Sequence, residues 1–331
     1  MKHALVFPFR TVVVAVTMLL LAVPVARAQD PDIRVALGDI ESVETLNLFV
    51  ALERVRERGV TVELIELTSE DLATQAVVNG QADVGIGAPY ALIQRVNAPI
   101  RIFYQLQTLR FFPVVNAEKY PDWQALDGQP FAVHSRGSGT EAAAHYIEAV
   151  EGIEFSEISF VPGSEVRATA LLRGNIDATF LDIPNRNFVM EQAPGQFHSL
   201  PMPDIDASDE ALFANVEWLE NNQEAVQVLL EELLSTWREL NEDPSFLMEE
   251  RERLGLLQDL PAELEEEILP YYEAGVEANI FPTDGGGRNA AESDFDFYTK
   301  SGQLEGDPES LAVEDFWYLA PLETLLESMG G

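Results

Sequence analysis

An approximate internal repeat is the feature that most limits how this chain can fold. Segments 76–83 (AVVNGQAD) and 170–177 (ALLRGNID) share apolar positions, a glycine and a final aspartate. In each copy a serine, Ser69 or Ser164, is expected to cap a helix that ends at the glycine, and the aspartate leads into a short strand. Chance, or two generic strand–helix units, would also produce such a match. The shared order of signals nevertheless favours two similar α/β lobes, each a mostly parallel sheet flanked by helices.

Two strand-like segments between the repeats are candidates for the chain crossing from one lobe to the other. They cover residues 100–106 and 111–115, and a return crossing is expected within 200–213. The predicted lobes are therefore residues 29–107 plus 209–331 and residues 108–208.

The C-terminal part is predicted to be mainly helical and to complete the first lobe. Apolar residues at helical spacing from Trp218 to Leu240 predict one long amphipathic helix. The apolar tail at 316–319 is expected to pack back on the first lobe.

The first 28 residues have the features of a cleaved export signal. Basic residues precede an apolar run from Thr11 to Val25, and Ala26-Arg27-Ala28 matches the small-residue cleavage pattern. A membrane anchor is the alternative, but Pro24 interrupts the run, which is shorter than the roughly 20 residues that a span needs. We therefore expect a mature chain of residues 29–331 that is exported to the periplasm.

The chain is strongly acidic, with 57 Asp and Glu against 20 Lys and Arg and a net charge of −37. The predicted signal carries three of the basic residues and no acid, so the mature chain is more acidic still. Such a surface repels nucleic acid and anionic lipid, which argues against both as partners. It suits high ionic strength, where salt screens the self-repulsion, and we infer a saline habitat as a hypothesis.

The residues needed for several kinds of catalysis are missing from the sequence. There is no cysteine, which excludes thiol nucleophiles, thiolate metal sites, iron–sulfur clusters and a lipid-anchored cysteine. His134, His145 and His198 do not have a metal-binding spacing, and no phosphate or dinucleotide loop is present. The sequence therefore predicts a chain that is not an enzyme and that has neither a cofactor nor a metal, although an enzyme on the same fold stays open.

The loop from His134 to Thr140 is the strongest candidate for a binding site. It follows an apolar strand at 130–133 and precedes a helix, which is the position of the ligand crevice in open α/β sheets. Its two glycines allow close approach, and the helix start together with Arg136 would suit an anion. An ordinary capped β–α turn that binds nothing is the alternative.

Four short motifs together resemble one family of transport proteins. They are 33–38 (IRVALG), 79–85 (NGQADVG), 126–129 (LDGQ) and 173–178 (RGNIDA). In this combination the chain resembles the NMT1/SsuA/TauA-like periplasmic substrate-binding proteins of ABC transporters. It departs from that family at Arg58-Gly59-Val60, where a Gly-Tyr-Phe sequence is usual.

The resemblance implies a type II periplasmic binding protein fold, with two lobes joined by two crossing strands and a solute held between them by hinge closure. It also implies an ABC permease in the inner membrane as the partner, and nothing demands more than a monomer. A ligand sensor on the same fold stays open as an alternative. The ligand-binding residues expected from the loops are Gly38, Asp39, Glu41, Ser42, Ala88, Tyr90, Ser135, Arg136, Gly137, Ser138, Gly139, Thr140, Ser164, Arg167, Asp182 and Arg186.

The charges in this set favour an anionic or zwitterionic solute of the sulfonate, carboxylate or pyrimidine-precursor class. Arg136 and Arg167 are the strongest candidates for contacting the solute, because the guanidinium fork suits a carboxylate or sulfonate. The alternative is that they form salt bridges with surface acids. Asp182 and Glu41 would instead receive an amine. Tyr90 is either a ligand contact or part of the core.

Overall fold

A computed structural model of the chain describes residues 31–39, 41–203 and 205–329. The predicted export signal lies outside these residues. The described part contains ten strands: β1 Ile33–Leu37, β2 Val62–Glu66, β3 Val84–Gly87, β4 Ile100–Thr108, β5 Phe112–Asn116, β6 Pro130–Val133, β7 Glu157–Phe160, β8 Ala178–Leu181, β9 Phe197–Ser199 and β10 Ser208–Asn215.

The strands form two five-stranded sheets of the same design. The first has the order β2-β1-β3-β10-β4 and the second the order β7-β6-β8-β5-β9. In each sheet the first three strands are parallel, and the fourth runs antiparallel to its neighbours. The predicted two-lobed, mostly parallel architecture is therefore confirmed.

The helices cover both sheets and dominate the C-terminal third. They are α1 Leu46–Glu57, α2 Glu70–Val78, α3 Tyr90–Val96, α4 Gly139–Glu151, α5 Ser164–Leu172, α6 Ile183–Gln192, α7 Val216–Asn221, α8 Gln223–Glu242, α9 Phe246–Leu254, α10 Ala262–Glu265, α11 Ile268–Glu277, α12 Gly287–Lys300 and α13 Ala320–Met329. Within the described residues, none of these helices has the length and apolar character needed to cross a membrane.

The predicted helix starts depend on side chains that hold the first free N–H groups. Ser69 accepts a hydrogen bond from Leu72 N, as predicted for an N-cap. Asp182, which was predicted to bind the ligand, accepts one from Asn185 N and so caps α6. Ser164 does not act as the predicted cap. Gly163, at φ +83°, occupies the cap position, and Ser164 is the first residue of α5.

The single long helix predicted from Trp218 to Leu240 was wrong. The chain leaves helical geometry at Asn222, with φ −121° and ψ 35°, so α7 and α8 are separate helices. The apolar stripe continues across the break because Leu219 and Val226 are both buried in the same core. Periodicity alone therefore does not reveal the interruption.

Two adjacent crossings join the sheets. Residues 109–111 connect β4 to β5, and residues 200–207 connect β9 to β10. Leu109 N donates to Ala207 O at 2.7 Å, so the two crossings run side by side. The exact lobe boundaries, 107/108 and 208/209, stay a prediction.

The C-terminal elements also bridge the two sheets. α12 packs on α4, and α11 packs on α6. The rings of Tyr146 and Phe297 lie 5.4 Å apart at the first of these contacts. The predicted return of the tail is seen at Tyr318 N, which donates to Ile102 O of the first sheet at 2.7 Å.

Candidate functional site

A polar cleft lies where the carboxyl ends of the two sheets face each other. Asp39, which follows β1, reaches across it to His134, with 3.2 Å between Asp39 Oδ1 and Nε2 of the imidazole. Asp71 N at the start of α2 donates to Arg136 O at 3.2 Å. These two contacts join the lobes, and they place the loop at 134–140 against the first sheet.

His134 is held in one tautomer by its neighbours. Gly163 N donates to its Nδ1 at 3.3 Å, so this nitrogen accepts. The Nε2 nitrogen therefore carries the proton and donates to Asp39. His134 thus links β6, the start of α5 and the opposite lobe.

The polar groups of this loop, which were predicted to bind an anion, already form hydrogen bonds with one another. Ser138 Oγ accepts from Glu141 N at 3.3 Å, and Glu141 Oε2 accepts from Gly137 N at 2.7 Å. Thr140 Oγ1 accepts from His134 N at 2.9 Å. Gly139 lies against the Asp209 carboxylate, which an anion would have to displace. The geometry therefore favours the capped-turn alternative over an anion site here.

Arg167 is buried with its charge turned toward its own lobe. Only 1% of its surface is exposed. Its Nε donates to Phe180 O at 3.0 Å, and its Nη1 donates to Val161 O at 2.9 Å. Burial lowers the pKa of Arg167, and the nearby carboxyl groups, Glu44 first, oppose this effect. The residue acts as a cross-link of the second lobe and supplies one positive charge near the cleft.

Arg136 lies at the mouth of the cleft. Its side chain is exposed, and its guanidinium carbon lies 4.8 Å from the ring centre of Phe160. It borders a groove of about 660 Å³ between the lobes, which Glu70, Ala88 and Arg95 also line. Arg136 can therefore contact the outer part of a bound solute.

A pair of carboxyl groups meets across the cleft at its other end. Glu44 of the first lobe and Asp182 of the second are hydrogen-bonded to each other, which requires a shared proton. Burial, followed by the charge of Asp182, raises the pKa of Glu44 well above its usual value, and burial raises that of Asp182. Glu44 Oε1 is buried and has no hydrogen-bond partner among the described residues.

A second group of acids surrounds the ends of β1 and β3. Burial raises the pKa of Glu70 well above its usual value, and the charges of Glu210, Asp209 and Asp39 add to the effect. Burial likewise raises the pKa of Asp209 to about 7, while His134 lowers it. The pKa of Glu210 is raised well above its usual value by burial and by Asp209. These raised pKa values indicate that the three carboxyl groups have too little positive charge nearby to offset their burial.

The remaining predicted residues separate into cleft, cap and core positions. Gly38 lies at the cleft, where the start of α2 packs so closely that a side chain would overlap Glu70 N. Ser42 caps a short 3-10 helix through Glu44 N. Ser135 is 2% exposed, and its Oγ has no partner among the described residues. Ser164 Oγ accepts from Asp182 N at 3.1 Å.

Three other predicted residues contact partners that the structure identifies. Tyr90 is fully buried, and its hydroxyl is occupied by Asp294 and by Trp317 Nε1, which favours the core alternative. Glu41 is exposed and interacts with Glu66 of β2. Arg186 lies over the ring of Phe112, 4.1 Å from its centre.

The sequence did not indicate the cleft residues Glu44, Glu70, Glu165, Asp209 and Glu210. Glu70 occupies the first turn of α2, where the helix dipole favours an acid whether or not the side chain faces the cleft. In a chain with 57 acids, no local signal separates a carboxylate in the cleft from one on the surface. Within the described residues, no group of His, Asp and Glu side chains has the arrangement of a metal site.

Comparison with known proteins identifies the family of this chain. Residues 45–246, more than half of the chain, match the family model described as NMT1/THI5 like. The chain belongs to the NMT1/THI5-like family. None of the curated proteins compared with it matches its sequence.

Solved structures share the fold of this NMT1/THI5-like chain at low sequence identity. A protein of Bordetella bronchiseptica RB50 has a TM-score of 0.71 and 18% identity, covering 92% of this chain and 100% of that one. The nitrate-binding protein NrtA from Synechocystis PCC 6803 has a TM-score of 0.66 and 15% identity, with coverages of 90% and 89%. The alkanesulfonate-binding protein SsuA from Xanthomonas axonopodis pv. citri, bound to MOPS, has a TM-score of 0.60 and 15% identity, with coverages of 86% and 97%.

Proposed function

We propose that this chain is the substrate-binding component of an ABC importer. It would act in the periplasm as a monomer, capture a small organic solute between its lobes and deliver it to a permease. Family membership and the two-lobed fold support this role. The observation that carries it is the polar cleft whose two walls are joined by Asp39–His134 and by Asp71 N–Arg136 O.

Hinge closure is the proposed mechanism of capture. The two crossings at 109–111 and 200–207 form a narrow connection about which the lobes would rotate. A solute that contacts both walls favours the closed form by its difference in affinity between closed and open forms. The contacts between His134 and Asp39 would then form together with the contacts to the solute.

The charge proposed for the solute differs from the one that the sequence suggested. Arg136 and Arg167 favoured an anion or zwitterion. However, Arg167 donates to carbonyl groups of its own lobe, and Arg136 lies at the mouth. Because carboxyl groups line the interior, a zwitterion or cation is the better candidate, with Arg136 available to an acidic group at the outer end.

The test is a ligand screen of residues 29–331 by thermal unfolding in high NaCl. The panel would include amines, amino acids, sulfonates, carboxylates, nitrate and pyrimidines. A ligand present at 100 times its dissociation constant should stabilise the folded chain by about 2.7 kcal/mol, or about 5 °C in Tm. Small-angle X-ray scattering with that ligand should show a smaller radius of gyration as the lobes close.

Either of two outcomes would refute the proposal. One is the absence of any stabilising ligand in a wide panel, and the other is turnover of the ligand by the purified chain, which would establish an enzyme. Transport is separated from sensing by reconstituting the neighbouring permease and ATPase in vesicles. A receptor for import should stimulate ATP hydrolysis there only when its ligand is present.

A further inference from the structure

The carboxyl groups facing the cleft exceed the basic groups that could neutralise them. The acids deep in the cleft are Asp39, Glu44, Glu70, Glu165, Asp182, Asp209 and Glu210, and the basic groups at that depth are His134 and Arg167. Arg95 and Arg136 lie farther out, on the groove. Burying a carboxylate without a partner is costly, so proteins pair such groups or keep them neutral. An acidic cluster alone does not identify a ligand, but one member of this cluster has a distinctive position.

Glu70 has a buried carboxylate oxygen without a hydrogen-bond partner among the described residues. Its side chain is 4% exposed, and Oε2 makes no hydrogen bond to any described residue. Gly87, at the end of β3, lies so close that an added Cβ would be 2.8 Å from this oxygen. Gly38, at the end of β1, similarly leaves room for the Glu70 backbone. The carboxylate is thus fixed at the strand ends where ligands of open α/β sheets bind.

The basic groups of the cleft are committed elsewhere. Arg167 uses Nε and Nη1 on the carbonyl groups of Phe180 and Val161. His134 accepts from Gly163 N and donates to Asp39. Glu210 and Asp209, whose charges raise the pKa of Glu70 most after burial, are acids, so they add to its need for a positive partner.

We propose that Glu70, with Asp39, Asp209 and Glu210 beside it, binds the cationic N–H head group of the solute, an ammonium or amidinium. This inference rests on the proposed function and specifies the charge of the captured molecule. A head group with several N–H donors matches several acceptor oxygens at once, and charge-assisted hydrogen bonds are the strongest that a small solute can make.

The groove outside Glu70 defines the rest of the solute. Arg95 and Arg136 line its walls, and it opens between the lobes. A zwitterion would therefore bind with its cation inward and its acidic group toward these arginines. A dianion would place one of its negative charges against Glu70, which opposes binding.

The experiment compares ligands that differ in charge but not in size. Putrescine, 4-aminobutyrate and succinate have four carbons each and are a dication, a zwitterion and a dianion. Benzamidinium and benzoate are an aromatic cation and an aromatic anion of similar size. Binding to residues 29–331 would be measured by calorimetry at constant ionic strength. We expect putrescine, 4-aminobutyrate or benzamidinium to bind, and succinate and benzoate to bind at least ten times more weakly or not at all.

Glu70→Gln keeps the shape of the side chain and removes its charge. It should weaken binding of the cations about 10- to 100-fold, the range for loss of a charge-assisted hydrogen bond. Glu63→Gln is the control, because Glu63 is exposed on β2 and its removal changes the net charge equally. That variant should bind as the unmodified chain does. If Glu70→Gln does not fold, Asp209→Asn supplies the same comparison.

The results also separate this inference from the proposed function. Binding of the anions in preference to the cations would overturn the cationic head group while leaving a receptor in place. Equal loss in Glu63→Gln and Glu70→Gln, or no binding of any cation in the series, would overturn it as well. Failure of every ligand class in the wider thermal screen would instead refute the receptor role itself.

Discussion

Two buried tyrosines provide a sharp test of how this fold is stabilised. Tyr90 and Tyr104 are both fully buried. The Tyr90 hydroxyl donates to Asp294 Oδ2 at 2.5 Å and accepts from Trp317 Nε1 at 2.7 Å. The Tyr104 hydroxyl has no hydrogen-bond partner among the described residues. Replacing each by phenylalanine removes the same atom from two different environments.

The expected costs follow from the partners left behind. In Tyr90→Phe, losing a hydrogen bond to a charged group costs about 1.5–3 kcal/mol, and the Trp317 N–H left unpaired costs about 1–3 kcal/mol. The free energy of unfolding should therefore fall by about 2.5–6 kcal/mol. In Tyr104→Phe no bond is lost and a buried polar atom is removed, so the change should be near zero or stabilising.

Urea unfolding followed by far-UV circular dichroism at pH 8 and high NaCl would measure both changes. The slope of the unfolding free energy against urea should be the same in all three chains, so that midpoints compare directly. A loss below about 1 kcal/mol in Tyr90→Phe would refute the reasoning. An equal loss in Tyr104→Phe would also refute it, because ring packing would then matter more than hydrogen bonding.

Three further predictions concern pH, salt and close packing. Burial raises the pKa of Asp209 and of Asp294 to about 7, from 3.8, so the stability that these two groups contribute should be lost as pH rises from about 4 to about 7, by up to about 1.4 kcal/mol per pH unit for each group. Urea midpoints at pH 5 and 7.5 test this, and Asp294→Asn should flatten the dependence. With 57 acidic and 20 basic residues, unfolding midpoints should rise with NaCl, and a midpoint independent of salt would contradict this. Gly38→Ala would place Cβ 2.4 Å from Glu70 N and should cost about 1–3 kcal/mol; an unchanged midpoint would contradict this packing.

The architecture was predictable because its signals are local. Ser69 and Asp182 are close in sequence to the N–H groups that they cap, and these caps mark the helix starts in either lobe. The repeat then implied that both halves use the same order of elements. Ser164 shows the limit, since its hydroxyl serves Asp182 N, 18 residues away, instead of its own helix.

The cleft was less predictable because its character depends on contacts that are distant in sequence. Glu70 at a helix start is equally compatible with solvent and with burial, and only the approach of Gly38 and Gly87 decides between them. Arg167 carries the same charge whether it faces a ligand or the carbonyl groups of Phe180 and Val161. Residue type predicted an anion or a zwitterion, whereas the directions of these side chains are the basis for the proposed cationic head group.

The acids on both walls of the cleft have a consequence for the behaviour of the receptor between captures. Glu44 and Asp182 belong to opposite lobes, and the charge of Asp182 raises the pKa of Glu44. Without a cation between them, ionised walls would repel each other and keep the lobes apart. The empty receptor would then rarely adopt the closed form that a permease accepts. Dissolved salt would weaken this repulsion, because the screening length is only about 3 Å at 1 M. Under the proposed role, the salinity outside the cell would set how reliably the importer distinguishes a loaded receptor from an unloaded one.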